Sequence, residues 1–168
     1  MTEELKEFYI KHLYDINQEC AYIISFMREY ENNFHLFETD IKTNRAVRSS
    51  LEIIGEAFSR LSYKETGKKM NYNKKTLEQI TPAIKHAERI TPLIKNAQKF
   101  LRFRNYIKHS YDNVDETVLW QYAQKDVPSL EKEVNSLLTF VLENHSLEAL
   151  HQSDKQQKGK AAKKGRQP

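Results

Sequence analysis

Apolar residues recur at steps of three and four along most of this chain, and this spacing constrains the fold more than any other feature. In the first such stretch, from Thr2 to about Glu31, the apolar positions are Leu5, Tyr9, Leu13, Ile16, Cys20, Ile23, Ile24 and Met27. Such steps place side chains on one face of an α-helix. Only four Gly and four Pro occur in 168 residues, which leaves little turn material for a many-stranded sheet. The sequence predicts an all-α fold.

A second amphipathic helix is predicted from near Thr43 to Leu61. Its apolar stripe consists of Val47, Leu51, Ile54, Phe58 and Leu61. A glycine inside a helix costs about 1 kcal/mol relative to alanine, so Gly55 indicates a close contact with another helix. Glu52 and Glu56 lie on this helix and could pair with Arg104 across the bundle.

Two matching Thr-Pro segments follow, beginning at Thr81 and Thr91. Each predicts a helix start with Thr at the N-cap and Pro at the first helical position, and the second leads into the polar segment described below. A final helix is predicted after Asp115, running to about Asn144, with a kink or restart at Pro128. Four long helices with connecting turns predict an antiparallel four- to five-helix bundle.

Charge divides the chain into two predicted regions, a helical bundle over 1–146 and a basic, disordered tail over 147–168. Six Lys and Arg against one Asp give residues 151–168 a charge of +5, so the remaining chain carries −1 of the total +4. The single cysteine, Cys20, cannot form an internal disulfide. With no signal peptide and no apolar run long enough to span a bilayer, a cytoplasmic protein is expected.

The segment from Arg104 to Tyr111 is rich in polar and charged residues that can take part in catalysis: Arg-Asn-Tyr-Ile-Lys-His-Ser-Tyr. At about 100° per residue, Arg104, Asn105, Lys108, His109 and Tyr111 occupy less than half of the helix circumference. Arg104 and His109 are nevertheless about 140° apart. A phosphate held by both would therefore need either a distorted helix or a second copy of the chain.

Cleavage of RNA without a metal requires a base for the ribose 2′-OH, an acid for the leaving oxygen and positive charge on the phosphate. Histidine can be base or acid because its ordinary pKa is about 6.5, and arginine grips a phosphate through two N–H groups. The segment has one histidine, so two copies around a two-fold axis would supply both His109 side chains and both Arg104 side chains. The sequence predicts no cofactor and no metal site, because it lacks metal-ligand spacing, a Gly-rich phosphate loop and a nucleophile motif.

The Arg104–Tyr111 segment resembles the Arg, four residues, His, any residue, Tyr signature of HepT toxins, which belong to the HEPN group of helical ribonucleases. Two flanking blocks are similar to the second and closing helices of that family. They are Arg45-Ala-Val-Arg-Ser-Ser-Leu-Glu-Ile-Ile-Gly-Glu-Ala, and Val114-Asp-Glu-Thr-Val-Leu-Trp followed by Asp126-Val-Pro-Ser-Leu. The resemblance extends over roughly residues 11 to 143.

This resemblance implies a homodimeric, metal-independent RNA endonuclease with its active site at the dimer interface. It assigns Arg104 to the phosphate, His109 to acid–base chemistry and Asn105 to supporting them. It also implies a partner, an MNT-type nucleotidyltransferase antitoxin that adds AMP to Tyr111. A bulky anionic group two residues from the histidine would repel the RNA phosphate.

Two cations beside the motif, Lys108 and Arg102, are candidate RNA contacts. The alternative interpretation is a non-catalytic helical module that binds a nucleotidyltransferase and presents its substrate. The two readings share a fold and a partner class, and they differ in whether Arg104 and His109 cut RNA.

Overall fold

The computed structural model describes residues 1–66, 89–110 and 114–143. These residues form helices and turns, and they contain no strand. The helices are α1 (Glu3–Met27), α2 (Phe34–Thr39), α3 (Ile41–Thr66), α4 (Ala97–Ser110), α5 (Glu116–Gln121) and α6 (Val127–Leu142). The predicted all-α fold is confirmed. The predicted boundary between bundle and basic tail, the Thr81 segment and Tyr111 lie outside the described residues.

Helix α1 begins as predicted, with Thr2 as its N-cap accepting the N–H of Leu5 at 3.3 Å. It ends at Met27, and a 3₁₀ turn then continues to Tyr30. Asn32 breaks the helical path in the left-handed region (φ 68°), a conformation that asparagine tolerates well. The short helix α2 that follows is absent from the sequence prediction. Phe37, on α2, is fully buried and packs against Trp120.

Helix α3 begins at Ile41 because the carboxylate of Asp40 accepts the N–H groups of Lys42 and Thr43 at 3.0 and 3.1 Å. The hydroxyl of Tyr30 and the N–H of Thr43 hold the pKa of Asp40 at about 2. The apolar stripe predicted for this helix is confirmed, since all five of its members are fully buried. Helix α3 packs between α1 and α4.

Both neighbours of α3 run antiparallel to it. Lys64, near the end of α3, lies 3.9 Å from Glu4 at the start of α1. On the other side Phe58 contacts Phe100, and Gly55, earlier on α3, lies against Arg104, later on α4. This arrangement is the one expected for an antiparallel bundle.

The predicted helix start at Thr91 is wrong. Thr91–Leu93 form a 3₁₀ turn with Ile90 as its N-cap, and α4 begins only at Ala97. The reason is tertiary: the carboxylate of Glu65, at the end of α3, accepts the N–H of Ile90 at 2.7 Å and of Thr91 at 3.0 Å. Burial raises the pKa of Glu65.

The closing helix starts as predicted after Asp115, whose carboxylate accepts the N–H of Thr117 at 2.8 Å. It is interrupted by a π-helical turn over Tyr122–Asp126, after which α6 begins with Pro128 in its first turn. A proline inside a helix removes one hydrogen bond and clashes with the preceding turn, so the predicted restart is confirmed. Among the described residues, no helix is long and apolar enough to cross a membrane.

Candidate active site

Helix α4 positions the polar segment through its apolar face. Phe100, Phe103 and Ile107 recur at steps of three and four, and all three are buried. Phe100 packs against Phe58 of α3 and against the ring of Tyr122 at 5.5 Å. Arg104 and Lys108 border this apolar face on the side of α3, whereas His109 lies on the exposed side of α4.

Gly55 allows α3 and α4 to approach closely at the position of Arg104. A Cβ atom at residue 55 would overlap the Cβ of Arg104 and lie 3.1 Å from the carbonyl oxygen of Phe100. Neither the Cβ of Arg104 nor the carbonyl oxygen of Phe100 can move away by side-chain rotation, because the backbone fixes both atoms. The close helix contact predicted from Gly55 is confirmed, and it occurs at the proposed phosphate-binding residue.

The Arg104 guanidinium is held by Glu56. Its Nε and Nη2 both lie 2.6 Å from Oε2 of Glu56, and only 18% of the Arg104 side chain is exposed. Lys108 approaches the same oxygen at 3.4 Å. Burial raises the pKa of Glu56, but the hydrogen bond and charge of Arg104, with those of Lys108, outweigh it and leave the pKa lowered. The pairing considered for Glu56 is confirmed, whereas Glu52 makes no ion pair within the described part of the chain.

Asn105 contributes to the same arrangement. Arg104 donates from Nη1 to the Oδ1 of Asn105 at 3.1 Å. The guanidinium is thus fixed by a carboxylate on α3 and by an amide on its own helix. An arginine held in this way keeps its planar donor group oriented before a ligand arrives.

His109 lies in the last turn of α4 and is exposed. Its imidazole makes no hydrogen bond or ion pair within residues 1–66, 89–110 and 114–143. Helix α4 remains α-helical from Ala97 to Ser110, so the helix distortion considered above does not occur. The structure brings Arg104, Asn105 and Lys108 together around Glu56, and it leaves His109 outside this cluster. Arg102 is also exposed and lies on α4.

One member of this cluster was not predicted from the sequence: Arg60, whose Nε lies 3.9 Å from Oε1 of Glu56. The two residues are four apart on α3, and oppositely charged residues at that spacing are neighbours on a helix. That spacing could have identified Arg60. Within the described residues, no three His, Cys, Asp or Glu side chains are grouped so that they could hold a metal ion.

The comparisons with known proteins agree on one family. A family model described as "HepT-like: Ribonuclease HepT-like" matches residues 16–137, which include α3, α4 and the Gly55–Arg104 contact. No solved structure matches the chain.

Individual relatives match over nearly their whole length. The chain is 29% identical over 133 residues to the "Probable ribonuclease HepT" of Thermococcus cleftensis, which covers 79% of this chain and 98% of the relative. It is 28% identical over 132 residues to a protein of Caldanaerobacter subterraneus that is provisionally named an RNase, covering 77% and 91% of the two chains. A provisionally named RNase of Methanocaldococcus jannaschii is 27% identical over 122 residues, covering 73% and 89%.

Proposed function

This chain belongs to the HepT-like ribonuclease family, and from that premise we propose that it is the toxin of a type VII-like toxin–antitoxin pair. Its activity is metal-independent RNA endonuclease cleavage, and its active site is completed by a second copy of the chain. The observation that carries this proposal is the contrast between a guanidinium oriented by Glu56 and an exposed histidine five residues later on the same regular helix.

The reaction needs both copies. One His109 removes the proton from the ribose 2′-OH as its oxygen attacks phosphorus, and the other His109 protonates the departing 5′-oxygen. The products are a 2′,3′-cyclic phosphate and a 5′-hydroxyl end. Arg104 offers its remaining N–H groups to the phosphate oxygens, where charge accumulates in the transition state.

A dimer supplies what one copy of α4 lacks. Because the helix is regular, its own Arg104 and His109 project in directions about 140° apart. A two-fold axis near α4 would bring the His109 of each copy towards the Arg104 of the other. Lys108 and Arg102 would then add positive charge at the rim of the shared cleft.

The proposed antitoxin is an MNT-type nucleotidyltransferase that acts in the cytoplasm. It transfers AMP from ATP to the hydroxyl oxygen of Tyr111 and releases pyrophosphate. Tyr111 directly follows Ser110, the last residue of α4, so the modification would place a negative charge beside His109. That charge would repel RNA from the cleft.

The catalytic assignment is tested with purified protein and a labelled RNA in the presence of EDTA. The wild-type chain is expected to cleave, while His109→Ala and Arg104→Ala lose at least about 100-fold in rate. His35→Ala is the matched control, because His35 is an exposed histidine on α2, and it should cleave at the wild-type rate. Cleavage by His109→Ala at the wild-type rate would contradict the assignment and favour the non-catalytic module.

The partner assignment is tested by co-expression with the nucleotidyltransferase and mass spectrometry. The peptide that contains Tyr111 is expected to gain the mass of AMP, and Tyr111→Phe should gain none. If Tyr111→Phe is still fully neutralised by the partner, the AMP-transfer mechanism is wrong for this pair.

A further inference from the structure

A groove between α1 and α3 opens beside the Arg104 cluster. It has a volume of about 480 Å³ and is lined by Phe8, Lys11, His12, Glu56, Ser59, Arg60, Tyr63 and Lys64. This volume lies within the range of about 300–1,000 Å³ seen for small-ligand sites. Glu56 belongs to both places, since the carboxylate that lines the groove also holds Arg104 at 2.6 Å. The groove and the Arg104 cluster therefore share this side chain.

The rim of the groove is basic. Lys11 is exposed and makes no ion pair within the described part of the chain. Lys64 pairs with Glu4 at 3.9 Å, but the Glu4 side chain is almost fully exposed, and such surface pairs contribute little to stability. Arg60 lies on the same side at the long distance of 3.9 Å from Glu56. All three cations can therefore turn to an anionic ligand at little cost.

Aromatic rings lie between these cations. The Tyr63 side chain is half exposed, whereas the ring of Phe8 is partly covered by His12, with the ring centroids 4.2 Å apart. Lys64 is positioned 5.5 Å from the centre of the Phe8 ring. Basic side chains interleaved with exposed aromatic rings are typical of surfaces that bind single-stranded nucleic acid, because phosphates meet the cations and bases stack on the rings.

His12 adds a polar group at the base of the groove. Only 5% of this residue is exposed, and its Nδ1 lies 2.8 Å from the carbonyl oxygen of Phe8. Since a carbonyl can only accept, Nδ1 is the donor, and in the neutral ring Nε2 is left as an acceptor. Nε2 makes no hydrogen bond within the described residues. It is suited to accept from a ribose 2′-OH or from a base amino group.

We infer that this α1–α3 groove binds nucleotides of the RNA substrate that flank the cleaved linkage. The inference rests on the proposed ribonuclease function and extends it: Lys11, Arg60 and Lys64 contact phosphates, and Tyr63 stacks on a base. A protein partner fits the groove less well, because the three cations on its rim favour an anionic ligand. The groove thereby adds to the affinity for RNA longer than the two nucleotides at the cleaved bond.

The test uses the full chain and a single-stranded 12-nucleotide RNA with 2′-O-methyl groups throughout, which binds but cannot be cleaved. Fluorescence anisotropy gives Kd over a range of salt concentrations. The double variant Lys11→Gln, Lys64→Gln is expected to raise Kd at least tenfold and to reduce the slope of log Kd against log salt by about 1.4, or about 0.7 for each lost phosphate contact. Tyr63→Ala should raise Kd at least about fivefold.

The matched control is Lys125→Gln, Lys132→Gln, which removes two exposed lysines from the π turn and α6 and should leave Kd and slope unchanged. Lys11→Arg, Lys64→Arg keeps both charges and should bind within about twofold of wild type. The groove assignment is overturned if the Lys11, Lys64 variant binds as wild type, if the control pair weakens binding equally, or if the groove variants change the oligomeric state instead.

Failure of the ribonuclease proposal can be distinguished from failure of the groove assignment. It would be seen as undiminished cleavage by His109→Ala, whereas the anisotropy of the inert RNA reports on the groove whether or not any bond is cut. Circular dichroism of each variant verifies that the helices are retained. Because the substituted lysines and Tyr63 are exposed, we expect all of these variants to fold.

Discussion

The two halves of α4 differ in what holds them. The first half is fixed by apolar packing, with Phe100 fully buried between α3 and the π turn. The second half is held by the buried Ile107 and by the ion pairs of Arg104 and Lys108 with Glu56, and its last turn presents His109 to solvent. One continuous helix therefore joins a well-packed first half to an exposed polar end.

This difference would allow a small bundle to supply half of the proposed active site. The anchored half sets the direction of the helix axis, and Gly55 sets its depth against α3. The polar half then needs few contacts of its own, because the backbone already positions its side chains. We therefore expect substitutions in the first half of α4 to lower stability and substitutions in the second half to lower activity.

The largest expected effect on stability is that of Phe100→Ala. Removal of a fully buried phenylalanine side chain costs about 3–5 kcal/mol, so chemical denaturation should show a loss of that size. His109→Ala, nine residues later on the same helix, should change the free energy of unfolding by less than about 0.5 kcal/mol because His109 is exposed. A loss of several kcal/mol for His109→Ala would remove the distinction between the two halves.

Gly55→Ala is expected to have the next largest effect, because it presses on α4 where the two halves meet. Overpacking costs about 1–3 kcal/mol, and the gain in helix propensity returns about 1 kcal/mol. We expect a net loss of up to about 2 kcal/mol in thermal or chemical unfolding, with a lower rate of RNA cleavage. Ser25→Ala, on the exposed side of α1, is the control and should not destabilise the protein. If Gly55→Ala stabilises the protein, the close contact at Arg104 is wrong.

Glu56→Gln is expected to destabilise the protein less than Phe100→Ala or Gly55→Ala. Because the pKa of Glu56 is lowered in the folded state, its contribution is present above the ordinary pKa and is lost as pH falls through the folded value. The carboxylate is partly exposed, so we expect the free energy of unfolding of wild type to exceed that of the variant by less than about 1 kcal/mol at pH 7. Measured by urea denaturation, this gap should close as pH falls well below 4.5.

The same substitution should affect activity more than stability. A misplaced guanidinium is expected to lower the cleavage rate by about 10- to 100-fold. Glu52→Gln, one turn earlier on α3, is the matched control and should show neither effect. A stability gap for Glu56→Gln that does not depend on pH would contradict the proposed role of its charge.

Local signals in the sequence predicted much of this architecture. Thr2 caps α1, Asp115 caps α5 and Pro128 marks a restart, because each acts through neighbours within a few residues. Gly55 predicted a close contact, and Glu56 was one of two glutamates considered as a partner across the bundle. Periodicity predicted the buried face of α3 because amphipathic helices expose one side to water.

Features that depend on distant residues were not predicted. The start of α4 moved from Thr91 to Ala97 because Glu65, 26 residues earlier, binds the backbone at Thr91. Helix α2 was missed because six residues carry little periodicity, and its Phe37 is buried against Trp120, far along the chain. The amide of Asn96 is likewise held by Glu133 of α6. Such contacts belong to the folded chain and not to any local pattern.

Mixing wild-type and His109→Ala chains tests most directly whether two copies of His109 serve one active site. Wild type and His109→Ala are unfolded together in equal amounts, refolded and assayed for RNA cleavage at the total concentration of a wild-type standard. Random pairing makes about one quarter of the dimers fully wild type. If each reaction needs both histidines, activity should be about one quarter of the standard. Activity of about one half would mean that each chain cuts RNA with its own histidine, and it would contradict the composite site.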